Sequence, residues 1–197
     1  KDREAASADF PGLRYIAWED SWYKPLPDIR KNVSWQECSP QSAQRFSAVP
    51  YLYGTFLHRY LKVPVGIINV ARGGTLGQTW CLRQELDGID NKLMKTVLAE
   101  HDAQTAIWDN PKQVAALMDE WEKSCEVARE AHTQKVAQAK AEGKKEPRLR
   151  LPKKPGDARA GWSPPAGLFN ATVMPIRHLG LRGVLYYQGE NNNFMRW

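Results

Sequence analysis

The pattern of apolar and polar positions divides the chain into segments of different kinds. Two short runs are apolar almost throughout: Val65-Gly66-Ile67-Ile68-Asn69-Val70 and Gly183-Val184-Leu185-Tyr186-Tyr187. Unbroken runs of this length, rich in β-formers, suit parallel strands covered on both faces. Each ends abruptly in polar sequence, the first in Ala71-Arg72-Gly73-Gly74-Thr75 and the second in Gln188-Gly189-Glu190-Asn191-Asn192. After a ragged lead-in over residues 1–12, Leu13 to Trp18 alternates enough to predict a first strand. Residues 19–45, with Pro25, Pro27 and Pro40, read as loop. Ser47 as N-cap, Phe46 as staple and Pro50 at the third helical position open a helix that ends near Lys62. Val49, Tyr53, Phe56, Leu57 and Tyr60 predict its apolar face, and His58 lies off that face. A short helix is expected over Leu82–Asp87.

Residues 91–142 predict helix, interrupted and restarted at Asn110-Pro111, with a stripe of Val114, Leu117, Met118, Trp121, Cys125 and Ala128 that fades toward Ala141. The heptads are too few to favour a coiled-coil partner surface. Residues 143–165 carry Pro147, Pro152, Pro155, Pro164 and Pro165 among Lys and Arg. This stretch reads as a linker, extended and mobile in part. Ala166 to Leu179 returns to compact structure, with a helix expected around Met174–Leu179.

Composition changes this picture little. The chain has 197 residues, 42% hydrophobic and 25% charged, enough for one domain with a core. No apolar run reaches the ~18 residues of a membrane span, and Lys1-Asp2-Arg3-Glu4 does not open a secretory signal. The net charge of +6 raises the question of nucleic acid. Much of the excess sits between Lys135 and Arg159, so a solvated basic linker is the expectation, with no nucleic-acid and no membrane partner. Cys38, Cys81 and Cys125 form no C-x-x-C pair; free thiols are the default, and a Cys38–Cys81 bridge stays open. Trp18, Trp22 and Trp35 fall in or beside the first loop, where they fasten the loop to the core or stack on sugar rings. His101 and His132 are expected in solvent, and His178 at a helix C-terminus.

The chemistry is expected at the two strand ends. Strands in a parallel sheet bring their ends to one edge, where ligands bind. Backbone N–H groups of Gly73 or Gly74, with side-chain amides of Gln188, Asn191 or Asn192, then converge on one oxygen. That is the geometry of an oxyanion hole, which serves acyl transfer. Two bland readings stand beside it, in which Glu190 only caps its loop and Gln188 only satisfies a turn. The Gly-Gly turn matches no phosphate loop, because Gly-Lys-Ser/Thr is absent.

The two strand-end motifs, together with Trp80, Trp35-Gln36-Glu37-Cys38-Ser39-Pro40 and Gly167-Leu168-Phe169-Asn170, resemble the sialate O-acetylesterase family of SGNH hydrolases. So does the charged helical segment with its proline-rich return. The resemblance runs from about residue 13 onward. It implies a flavodoxin-like α/β/α sandwich with a parallel sheet, incomplete here. Residues 1–197 would be part of one SGNH esterase domain, with 91–142 a helical insertion and 143–165 a basic linker within it. It also implies a serine esterase without metal or cofactor, acting on an O-acetylated carbohydrate, and a secreted or periplasmic location.

Family members carry the serine in Gly-Gln-Ser-Asn and the histidine in Asp-x-x-His. Neither occurs here, nor does Gly-x-Ser-x-Gly, and Ser39 and Ser47 sit badly for a nucleophile. Carried over residue by residue, the resemblance leaves Gly73, Gly74, Gln188 and Glu190 as oxyanion-hole and supporting residues. The chain is then a central fragment, inactive alone, that associates with the missing parts of its domain or with another subunit. Arg72 stands where the family usually has an aromatic residue, and could pair with a substrate carboxylate; with Asn191 and Asn192 it makes the candidate substrate contacts. Alternatives are an acetylxylan esterase and a non-catalytic carbohydrate-binding or interaction module.

Overall fold

The computed structural model describes residues 2–162 and 164–194. Lys1 of the lead-in, Ser163 of the expected linker and the final residues through Trp197 lie outside them. The described chain forms two compact units, Lys1–Ile89 with Gly161–Trp197, and Asp90–Ala160.

The first unit is built on a three-stranded sheet, in order β2-β1-β3, formed by β1 (Phe10–Ala17), β2 (Gln36–Cys38) and β3 (Val65–Asn69). β1 and β3 pair in parallel from Leu13↔Val65 to Ala17↔Asn69, so the parallel partner of the Val65–Val70 run is the first strand and not Gly183–Tyr187. β2 pairs antiparallel with β1, with a register irregularity between Phe10 and Arg14. The sheet is therefore mixed rather than parallel throughout: β2 returns along β1 through a loop, and an antiparallel pair needs no crossover. The lead-in is ordered earlier than expected, with helix α1 over Asp2–Ala6.

Helix α2 spans Ala48–Leu61 and ends on Lys62 in the left-handed region, φ 57°. Its orientation overturns the expected apolar face. Tyr51, Gly54 and Thr55 are the buried residues, whereas Val49, Tyr53, Phe56 and Tyr60 are exposed. The physical reason is steric. A Cβ on Gly54 would stand 2.8 Å from Leu13 Cδ1 and 3.1 Å from Ile67, so the glycine face is the one that can press onto the sheet. His58 turns inward, its Nδ1 2.7 Å from the Val63 carbonyl. Ser47 occupies the N-cap position without a side-chain cap bond; its N–H donates to the Tyr15 hydroxyl. Leu13, Tyr15, Cys38, Phe46 and Tyr51 form the core beneath, with Tyr15 stacked on Phe46. Burial pushes the Tyr15 hydroxyl above its ordinary pKa, against the opposing bond from Ser47. A second small cluster gathers Ile16, Trp18 and Ile176. Helix α3 covers Arg83–Asp87. The compact segment after Ala166 contains a π-turn over Phe169–Val173 and a 3-10 turn over Met174–Ile176, earlier than the helix expected at Met174–Leu179.

The expected second strand is absent. Gly183–Tyr187 pairs with no strand among the described residues, and Val184, Tyr186 and Tyr187 are 78%, 71% and 83% exposed. Apolar side chains make a strand possible, but its N–H and C=O groups still need a neighbouring backbone.

The second unit is a helical hairpin, α4 (Lys92–Trp108) and α5 (Pro111–Ala141), broken where Asn110-Pro111 predicts. Asn91 and Asn110 cap the two helices with their side-chain oxygens, satisfying N–H groups that helix starts leave free. The basic segment after it runs back along α5. Trp121 Nε1 donates to the Pro152 carbonyl at 3.1 Å, and His132 Nε2 lies 2.8 Å from the Pro147 carbonyl. Lys154 stands over the Trp121 ring. Arg159 pairs with Asp109 and Asp157, at 2.6 and 2.7 Å. Arg159 holds the Asp157 carboxyl below its ordinary pKa, and Asp157 raises that of Arg159. The segment is thus fastened rather than free. His132 is half-buried and His101 keeps both ring nitrogens from solvent, so neither histidine is solvated. Among the described residues no helix is long and apolar enough to cross a membrane.

Candidate functional site

β3 delivers the chain to Ala71-Arg72-Gly73-Gly74-Thr75, as its abrupt polar ending predicts. Gly74 turns in the left-handed region, φ 71°, where only a residue without Cβ sits at no cost. Nothing lies within 4 Å of a Cβ on Gly73 or Gly74, so the backbone is open there. Thr75 closes the turn: its hydroxyl donates to the Arg72 carbonyl at 2.8 Å and accepts from Trp80 Nε1 at 3.0 Å. A 3-10 turn follows over Gly77–Trp80, with Gln78 and Thr79 buried. Thr79 anchors it, its hydroxyl accepting from the Leu168 N–H at 3.2 Å.

The second motif folds onto this turn without help from a strand. Gln188 Nε2 donates to the Thr75 carbonyl at 3.0 Å. Asn191 Nδ2 donates to the Gly74 carbonyl at 2.9 Å. Asn192 Oδ1 accepts from the Gly77 N–H at 2.8 Å, and its Nδ2 reaches Gln78 Oε1 at 3.3 Å. Gly189, at φ 134°, makes the bend that lets Gln188 and Asn191 address neighbouring carbonyls. A Cβ on Gly77 would meet Gln188 Oε1 at 3.3 Å and Asn192 Oδ1 at 3.4 Å, so the two turns touch closely. Three amide side chains therefore read the backbone from Gly74 to Gly77. The carbonyls of Gly74 and Thr75 are held back, while no hydrogen bond from the Gly73 or Gly74 N–H forms among the described residues. Open N–H groups beside restrained carbonyls make a place that favours a negatively charged oxygen.

Of the sequence-predicted residues, Gly73, Gly74, Gln188, Asn191 and Asn192 come together. Glu190 opens the 3-10 turn Glu190–Phe194 and is exposed, and its carboxylate holds no hydrogen bond among the described residues. Arg72 points to Glu19, 2.6 Å away, and lies over the Trp162 ring, 4.3 Å from its centroid. Its guanidinium is already engaged on both counts. Of the three further residues Glu19, Gln78 and Trp162, residue patterns alone gave no sign of Glu19 or Trp162. Only Gln78 carried a faint one, a lone amide between the Gly-Gly turn and Trp80.

The nucleophilic groups of the described residues do not form a catalytic pair. Among the described residues no serine hydroxyl hydrogen-bonds a histidine; the Ser39 and Ser42 hydroxyls engage each other. All three cysteines are free thiols. Burial pushes the Cys38 and Cys81 thiols up in pKa, away from the reactive thiolate. No cluster of metal-ligating side chains occurs among the described residues.

No family model matches the chain. It is 29% identical over 148 residues to the sialate O-acetylesterase of Rattus norvegicus and 27% identical over 148 residues to that of Mus musculus. Those matches cover 74% of this chain and 21% of each relative, so the chain spans about a fifth of the length of the curated relatives it matches. In structure it is similar to a carbohydrate acetylesterase from Xanthomonas citri, with a TM-score of 0.55 and 19% identity over 96% of this chain and 28% of that one. At that identity the structural likeness speaks for the fold, a mixed α/β arrangement with a small sheet and many helices. The chain is similar to sialate O-acetylesterases, as its motifs imply.

Proposed function

We propose that this chain supplies the oxyanion-binding part of a carbohydrate O-acetyl esterase of the SGNH hydrolase type. The observation that carries the reading is the seating of Gln188, Asn191 and Asn192 on the backbone from Gly74 to Gly77. In the reaction, a serine attacks the acetyl carbonyl and its oxygen gains charge. The Gly73 and Gly74 N–H groups donate to that oxygen. Gln188 holds the Thr75 carbonyl with one amide hydrogen and has a second left to donate. Asn191 and Asn192 fix the turn so that the donors do not reorganise as charge develops. Glu190, exposed at the head of the last turn, orients groups of the acid–base machinery. The serine and histidine that act as a unit in such an enzyme are not among these residues.

The same reading places both units in one esterase domain, with 91–142 as an insertion and 143–165 as its return. It also makes a secreted or periplasmic location the expectation. The names of the similar proteins support the substrate class, acetyl esters on sugars. For Arg72 to meet a substrate carboxylate, the Glu19 pair has to open or be shared; Arg72→Ala would then lower the preference for acidic over neutral acetylated sugars.

Two measurements test the reading. The 197-residue chain alone is expected to give no turnover of p-nitrophenyl acetate. In a longer protein that includes Gly-Gln-Ser-Asn and Asp-x-x-His segments, Gln188→Ala is expected to lower kcat on an O-acetyl sugar by about 10²-fold or more, with KM little changed. Hydrolysis by the chain alone that Gln188→Ala abolishes would overturn the division of labour. An unchanged kcat in the longer protein would remove Gln188 from the site.

A further inference from the structure

The proline-rich return, read from sequence as a linker, has a geometry of its own. From Trp121 to His132, α5 rises about 16.5 Å. From Pro147 to Pro152, an extended chain also covers about 16.5 Å. The two fastenings join Trp121 to Pro152 and His132 to Pro147, so the strap runs antiparallel to the helix and extended between them. Trp121 and His132 lie on one face of α5, about three turns apart. Cys125, 1% exposed, lies on that face between them.

The charge on this strap is concentrated and largely uncompensated. Six of the eleven residues from Lys144 to Lys154 are Lys or Arg and one is Glu, in a chain whose net charge is +6. Lys144 pairs with Glu142, and Glu146 with Lys140. Lys154 is occupied by the Trp121 ring. Among the described residues, Lys145, Arg148, Arg150 and Lys153 form no ion pair, and all four are exposed. Arg148 and Arg150 alternate with Leu149 and Leu151, so along an extended chain the two arginines share one face. They stand about 7 Å apart, and Lys153, about 10 Å further along the chain, adds a charge on the other side of the extended strap. An ordinary flexible basic tail has to become ordered when it binds, at an entropic cost; here the Trp121 and His132 bonds have ordered the backbone beforehand.

We propose that the strap is a binding site for a linear acidic polysaccharide, one that carries uronate or sulfate groups along its length. The choice of polysaccharide rests on the carbohydrate-esterase reading above, and the electrostatics agree with it. Charges spaced 7 to 10 Å apart suit a polymer with one anionic group per sugar ring or two. A DNA duplex presents one charge every ~1.7 Å. Single-stranded nucleic acid needs aromatic platforms for its bases, and Lys144–Lys154 contains no aromatic residue. In this role the strap holds an acidic glycan independently of any acetyl group.

Polygalacturonate binding by the intact chain, followed by affinity electrophoresis and by titration across a salt series, tests the proposal. Wild-type protein is expected to bind with an affinity that falls steeply with salt. The variant Arg148→Gln/Arg150→Gln/Lys153→Gln is expected to bind at least tenfold more weakly at low salt and with a clearly shallower salt slope. A charge-matched control, Lys31→Gln/Arg45→Gln/Lys92→Gln, is expected to stay within about twofold of wild type. Absence of wild-type binding, an equal loss in the control, or tighter binding to duplex DNA of the same charge would each overturn the proposal. The readout needs no catalysis. A failed esterase test with intact glycan binding removes the catalytic reading and leaves the strap, and the converse result does the reverse.

Discussion

The strap of residues 144–157 and the segment from Leu179 to Tyr187 invert what their compositions suggest. The first is Lys-, Arg- and Pro-rich, yet it is fastened to α5 by Trp121 and His132 and closed by Arg159. The second is apolar and β-prone, yet Leu179, Leu181 and Val184 through Tyr187 are exposed. The difference lies in partners. Strap carbonyls meet donors on a helix that forms from its own sequence, capped by Asn110 and long enough to offer two donors at the right rise. Gly183–Tyr187 needs another strand, because neither a helix face nor an apolar surface can supply a ladder of backbone hydrogen bonds. Polarity decides what a segment tolerates; a neighbour decides what it does.

Three perturbations would break or sharpen the contrast. Trp121→Ala is expected to act most strongly. It removes a half-buried ring, the bond to the Pro152 carbonyl and the platform under Lys154, together roughly 2 kcal/mol. Trypsin cutting after Arg148 and Arg150 should then rise well above its wild-type rate, while cutting after Arg182 stays fast in both proteins. Equal rates at all three arginines in the wild type would mean that the strap is not fastened.

Acid should weaken the same closure more moderately. The Asp157 carboxyl is depressed in the folded chain, chiefly by its bonds to Arg159. Its contribution is therefore present above the unfolded carboxylate value near 3.9 and lost as pH falls through the lower folded value. As pH falls below about 4, helical signal and melting temperature of the hairpin should drop, and Asp157→Asn should flatten that drop. Superimposable pH profiles for the wild type and the Asp157→Asn variant would remove the closure from the account.

Smallest of all is the expected effect of Tyr187→Ser. The side chain is 83% exposed and makes no hydrogen bond among the described residues, so stability should change by less than about 0.5 kcal/mol. A loss near 2 kcal/mol in a melt of the chain would show that Gly183–Tyr187 does find a strand partner in solution.

Legibility followed the same division. Asn110-Pro111 placed the break between α4 and α5 because capping and the missing proline N–H are local chemistry. The run Val65–Val70 became β3 and paired with β1, since two β-prone runs and a helix between them fit a right-handed crossover. The inner face of α2 escaped pattern reading. Counting apolar residues pointed to Val49, Tyr53, Phe56 and Tyr60, whereas the sheet accepts the side with Gly54, where the backbone can come close. In the candidate site, the amides of Gln188, Asn191 and Asn192 and the turn at Gly73-Gly74 were legible as donors at a strand end. Their partners were not. The Arg72–Glu19 pair joins residues 53 positions apart, and no spacing rule reaches that far.

By itself the sequence determined the local elements: the capped helices, the strands β1 and β3, the Gly-Gly turn and the cluster of amides. These follow from backbone sterics, hydrogen-bonding groups and apolar periodicity, which act over a few residues. Tertiary structure alone decided which face of α2 is buried, that the basic return lies fastened along α5, and that Gln188, Asn191 and Asn192 close on the Gly74–Gly77 backbone without a strand to carry them. Such outcomes depend on which surfaces and backbone groups, distant in sequence, are left to satisfy one another once the local elements have formed.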